Sequence, residues 1–191
     1  MKAIVRALMM VATLGMFYGV AHADSYSDTV NLFKNAHESA SFFSNSYGYA
    51  VFPTIGKAGF GVGGALGKGR VYRQGRLIGD VTMRQLSVGF QAGGQSYSQM
   101  IFFENKRALD DFTSGNFEFG ANVGAIAITA SASASGGTTG TSAAASGDKK
   151  KAATAGEYHD GMVVFTIAKG GLMYEASVSG QKFSYKARGA K

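Results

Sequence analysis

The chain has 191 residues, 46% apolar and 16% charged, with a formal charge of +7; this balance fits one domain and excludes a disordered or acidic tail. Glycine is the outlier at 28 residues against a single proline, and it lacks the three-residue period of collagen. With no cysteine, disulfide frameworks, thiolate metal sites, cysteine nucleophiles and acylated lipoprotein anchors are excluded.

Residues 1–23 read as an export leader. Lys2 and Arg6 form a positive n-region, residues 7–20 an apolar stretch, and Ala21-His22-Ala23 a cleavage site ahead of Asp24. The apolar run is short for a bilayer of ~30 Å and no cationic stop follows it, which argues against a retained span. Cleavage after Ala23 removes Lys2 and Arg6, lowers the formal charge from +7 to +5, and delivers the chain to a periplasmic or membrane-associated place in the cell envelope. Genomic DNA and cytosolic nucleotides are then not expected partners.

Residues 24–46 have the spacing of an amphipathic helix. Val30, Phe33, His37 and Ala40 recur at three- and four-residue intervals, Leu32, Ala36 and Phe43 widen the stripe, and Ser25 or Ser27 is placed to cap it. Such a helix packs on a sheet or presents its apolar edge, with Val30, Phe33 and Phe43, to lipid. From Tyr47 the period becomes two. Residues 49–52 make a short strand stopped by Pro53, and residues 57–66 alternate glycine with larger side chains. Gly67-Lys68-Gly69 and Gln74-Gly75 read as turns around 70–73. Strands at 86–90 and 99–103 follow, separated by Gly93-Gly94-Gln95-Ser96.

A second helix is expected between an N-cap at Asn105 and Gly115, burying Leu109 and Phe112. Residues 117–129 read as one small-residue strand, and 162–168 and 172–178 as two more, with 183–187 continuing the last. Residues 133–156 are Ala/Ser/Gly-rich and lack large apolar side chains, so a mobile loop is expected there. The fold class is α+β: an antiparallel β-rich sandwich or partial barrel with an N-terminal amphipathic helix and one short inserted helix, in a single domain over 24–191. A small outer-membrane barrel fits less well, because alternation yields glycine and alanine faces rather than a lipid-facing band.

Chemistry-bearing motifs are scarce. Gly59-Phe60-Gly61-Val62-Gly63-Gly64 satisfies G-x-G-x-x-G but continues as a strand instead of opening a helix, so no dinucleotide site is expected. After cleavage only His37 and His159 remain, far apart and without carboxylates at metal-ligand spacing. No G-x-S-x-G elbow occurs. No enzyme activity, metal or cofactor is expected. The charge pattern carries more: no acid occurs between Glu38 and Asp80, while Lys57, Lys68, Arg70, Arg73 and Arg76 fall in that window. Gathered on one rim of the sheet, they would attract anionic headgroups. A single nucleic-acid strand would also suit basic residues around Tyr72, but no recognition motif accompanies them, and nucleic acid is not expected.

Three blocks carry a resemblance. They are the run from Gly48-Tyr-Ala-Val-Phe-Pro to Gly67-Lys68-Gly69, the run from Ser87-Val-Gly-Phe to Phe103-Glu104-Asn105, and Phe119-Gly-Ala-Asn-Val-Gly-Ala. In this order and spacing the chain resembles the SYLF domain over 44–187. The resemblance implies a non-enzymatic lipid-binding module; eukaryotic relatives bind phosphoinositides and some associate with actin. An exported chain does not meet actin in its own cell, so another anionic phospholipid membrane is the expected partner. The alternative is a structural or protein-interaction module of the envelope, with an envelope protein as partner.

Overall fold

The structure is a computed structural model that describes residues 21–60, 62–88, 93–120, 124–128, 157–170, 178 and 180–189. Most of the expected leader and the 133–156 segment lie outside the described residues, as do most of the strand expected at 172–178. No described helix is long and apolar enough to cross a membrane.

The N-terminal helical region is three helices rather than one: α1 (Ala21–Asn35), α2 (His37–Ala40) and α3 (Phe42–Asn45). The chain breaks at Ala36, whose backbone is extended and whose side chain is fully buried. The Ser39 hydroxyl donates to the Phe33 carbonyl at 2.6 Å, one of the acceptors left over at the end of α1. Ser25 and Ser27 lie inside α1 and do not cap it; the Ser25 carbonyl accepts instead from the Thr29 hydroxyl at 2.7 Å. His37 is exposed and leaves the apolar stripe, which Thr29, Phe33 and Ala36 form.

Eight strands follow: β1 (Gly48–Phe60), β2 (Val62–Arg73), β3 (Arg76–Val88), β4 (Gly93–Phe103), then helix α4 (Lys106–Thr113), β5 (Asn116–Glu118), β6 (Ala125–Ile128), β7 (Met162–Gly170) and β8 (Gln181–Ala187). They form one sheet in the order β5-β8-β3-β2-β1-β4-β7-β6, antiparallel except for β6 beside β7. A flat sheet of eight strands measures ~33 Å from edge to edge, whereas the chain from Glu118 on β5 to Ala125 on β6 reaches at most ~25 Å. The sheet must therefore curl. It does so into a half-barrel, and Gln99 of β4 meets Gln181 of β8 across the inside at 2.9 Å although three strands separate them.

Four turn and strand expectations are corrected. Pro53 does not end β1; it sits at a register shift between Val51 and Ile55, where its missing N–H disrupts no regular ladder. Gly67-Lys68-Gly69 is interior to β2, which pairs with β1 as far as Phe60 and Val62. Gly93 to Ser96 belong to β4. The residues read as one strand over 117–129 divide between the two opposite edges of the sheet. The Gln74-Gly75 turn is present, with φ of 49° and 77°, as the tight hairpin geometry demands. The Asn105 cap is also present: its side chain accepts from the Ala108 N–H at 3.0 Å, and Leu109 and Phe112 are buried beneath α4.

Both sheet faces are covered, unequally. The inner face packs Ala50, Phe52, Ile55, Ile101, Phe103 and Phe183 under Leu109 and Phe112 of α4. The outer face packs Val51, Met100, Phe102, Val163, Phe165 and Ile167 under Phe33, Ala36 and Phe42. That cover spans β1, β4 and β7 and leaves much of the outer side of β2, β3 and β8 open. Strand glycines divide accordingly. A Cβ on Gly69 would lie 2.7 Å from the Phe52 ring and 2.8 Å from the Val51 carbonyl, while one on Gly56 would meet nothing within 4 Å. Gly56→Ala should raise stability by about 0.5–1 kcal/mol and Gly69→Ala should lower it. Thermal unfolding of the two variants checks the opposite signs.

Candidate functional site

The five basic residues of the acid-free window do not share one rim. Lys57 pairs with Ala65 and Gln95 in register, on the inner face with Ile55, and is half-buried. Lys68 and Arg70 stand on the outer face, two residues apart on β2. Arg73 and Arg76 flank the Gln74-Gly75 turn, roughly 27 Å from the level of Lys57 and Ala65 by strand rise. Because Gly67-Lys68-Gly69 is strand, Lys68 is not at a hairpin tip, and the expected clustering is overturned.

Arg70 is committed to structure. Its guanidinium lies 4.1 Å from the centre of the Tyr26 ring of α1 and 4.0 Å from the Asp80 carboxylate on the paired strand. Asp80 also accepts both hydrogen bonds of the Arg188 guanidinium, at 2.7 and 2.9 Å. Burial raises the Tyr26 hydroxyl pKa above its ordinary value, against the opposing effect of Arg70. This arrangement ties α1 to β2, β3 and the C-terminal residues. Arg70 is therefore a brace between elements rather than an open anion site.

The proposed insertion residues are also reassigned. Phe33 is fully buried between α1 and the sheet, and Val30 and Phe43 pack half-buried against the same cluster. The Phe43 ring meets Phe102 at 4.9 Å and Tyr49 at 5.5 Å. The apolar edge of the helices is spent on the sheet. Burial of Tyr49 beside Tyr72 pushes its hydroxyl pKa up to about 12, so it stays neutral across the physiological range.

A different outer-face surface is open. Val62, Leu66 and Leu86 are 66%, 56% and 85% exposed, and they are the large hydrophobics exposed among the described residues. The β2–β3 register sets Gly64 against Leu86 and Leu66 against Arg84, and the β3–β8 register sets Arg84 against Lys182. All these side chains consequently point to one side. Leu66, Leu86, Arg84 and Lys182 line a groove of about 740 Å³, with Gly56, Ala58 and Gly64 in its floor and Glu118 at its margin. A second groove of about 530 Å³ shares Gly56 and Leu66 and continues past Lys68 to Tyr26. Arg84 and Lys182 join this site only through β3–β8 pairing, a signal that no local pattern carries.

The Ysc84 family model, described as "Las17-binding protein actin regulator", matches residues 84–188, more than half of the chain. The chain belongs to the Ysc84 family. The SYLF resemblance is thereby supported, and the Ysc84 match opens on Arg84 and includes Leu86 and Lys182 of the groove. The Ysc84 chain is also similar to Beta cell expansion factor A of Aeromonas veronii, at 27% identity over 157 residues. That alignment covers 81% of this chain and 51% of the relative, so the chain spans about half the relative's length.

Proposed function

We propose that this chain is a non-catalytic protein of the cell envelope that binds anionic phospholipid membranes peripherally, through the open outer face of β2, β3 and β8. One observation carries the reading: Val62, Leu66 and Leu86 stand exposed together, beside Lys68, Arg84 and Lys182, the last paired with Glu118. Scattered exposed hydrophobics are ordinary, but a contiguous set rimmed by charge marks an interaction surface. Burying each leucine in the acyl boundary contributes about 1.5–3 kcal/mol. Each cation near an anionic surface adds about 1 kcal/mol. The phosphoinositide binding that the SYLF resemblance implies supports a phosphate-bearing headgroup, and the leader expected over residues 1–23 supports the compartment.

The test is sedimentation with vesicles of phosphatidylcholine alone or mixed with phosphatidylglycerol or phosphatidylinositol. The protein should pellet with the anionic vesicles, and the Leu66→Asp/Leu86→Asp variant should lose about tenfold or more in affinity. Arg73→Glu/Arg76→Glu, at the far end of the hairpin, should change little. Equal binding to neutral vesicles, or equal loss from both variants, would reject this surface. The family description as Las17-binding supports a second reading, a protein-interaction module. A protein partner retained by the wild type but lost from Leu66→Asp/Leu86→Asp, without vesicle binding, would favour it.

A further inference from the structure

The outer-face groove has features that contact with a bilayer surface does not require. Its volume of about 740 Å³ lies within the ~300–1,000 Å³ that small ligands occupy. It is apolar along its length: Ala58 lies in the floor and Leu66 and Leu86 form walls. Floor glycines Gly56 and Gly64 are not demanded by the fold. A Cβ on Gly56 would meet nothing within 4 Å, and one on Gly64 only the Gln85 carbonyl at 3.4 Å; neither residue has positive φ. Gly67 and Gly69 differ, because a Cβ there would press on Ile55 at 2.5 Å or Phe52 at 2.7 Å. Glycine inside a strand weakens it and commonly marks a close approach by another group. Among the described residues, no protein group takes that space at Gly56, and at Gly64 only the Gln85 carbonyl comes near it.

The charge at the margin is specific. Lys182 lies 3.3 Å from Glu118, so those two offset each other. Among the described residues no acid forms an ion pair with Arg84, which is exposed at the same margin. Among the residues lining this groove, Arg84, Lys182 and Glu118 therefore leave one positive charge, matched by a ligand with one negative charge. A guanidinium holds a carboxylate through two parallel hydrogen bonds, whereas a dianionic headgroup would leave charge unmatched beside Glu118. We infer that this groove binds a long-chain fatty-acid anion, its hydrocarbon chain on the Gly56–Ala58–Gly64 floor beneath Leu66 and Leu86 and its carboxylate on Arg84. The second groove, continuing from Gly56 and Leu66 toward Tyr26 and Lys68, gives the chain room to run on. The inference rests on the reading of this face as lipid-facing and names the molecule held there.

The experiment titrates cis-parinaric acid into the full chain and displaces it with palmitate or with hexadecanol. Saturable binding is expected, with palmitate competing about tenfold or more better than the alcohol, as a hydrogen-bonded charge implies. Gly56→Leu should weaken binding about tenfold or more by filling the floor, without lowering the melting temperature. Arg84→Gln should bring palmitate and hexadecanol to equal competition. No saturable signal, unchanged affinity in Gly56→Leu, or equal competition by the alcohol in the wild type would overturn the inference. Vesicle sedimentation separates the two readings. Palmitate binding without vesicle binding removes the membrane proposal and keeps this one, and vesicle binding without palmitate binding does the reverse.

Discussion

Replacing Phe102 with alanine should destabilise the protein by about 3–5 kcal/mol, the range found when a large aromatic is removed from a packed core. Phe102 is fully buried, and its ring lies 4.9 Å from Phe43, 5.5 Å from Phe42, 5.9 Å from Phe165 and 6.2 Å from Tyr49. It is the point at which α3, β1, β4 and β7 meet. Rigid neighbours on three other elements cannot all move inward, so the cavity stays open and its walls lose their contacts. Against a total stability of about 5–15 kcal/mol, this is a large fraction. Urea unfolding measures it; a loss below about 1 kcal/mol would show that the helices do not seat on the sheet as described.

Gln181→Met should cost about 1–3 kcal/mol, while the double variant Gln99→Met/Gln181→Met should recover much of that loss. The two amides exchange hydrogen bonds, Gln99 Nε2 donating to Gln181 Oε1 at 2.9 Å and Gln181 Nε2 to Gln99 Oε1 at 3.1 Å. Gln181 also donates to the Tyr97 hydroxyl at 3.2 Å. Both glutamines are fully buried. Removing one amide leaves the other desolvated and without those bonds, and removing both takes away the penalty along with the bonds. Burial raises the Tyr97 hydroxyl pKa well above its ordinary value. A double-mutant cycle by chemical denaturation gives the coupling; additive losses would show that the pair does not bridge β4 and β8.

Local chemistry was legible where a single element decides it. The Asn105 cap, the apolar pair Leu109 and Phe112, and the Gln74-Gly75 turn each depend on neighbours a few residues away. The β-rich class with a partial barrel among its alternatives was also readable from the period of two. Glycine was misleading because one residue type serves two physical needs. At Gly75 it supplies positive φ, whereas at Gly69 it makes room for Phe52 inside a strand; the sequence looks alike in both cases. The site failed for a related reason. Clustered charges in sequence alternate between faces along a strand, which sends Lys57 inward and Lys68 outward. Arg84 and Lys182 become neighbours only once β8 has paired with β3.

The position of β8 also sets the order in which contacts form during folding. Strands β1 to β3 follow one another as hairpins, and β4 joins β1 soon after, but Gly79 pairs with Ala187 only across a long intervening stretch of chain. Closing so large a loop is slow in the way distant contacts are. Until β8 docks, the seat of Phe183 among Phe52, Phe112 and Phe119 stands empty and wet.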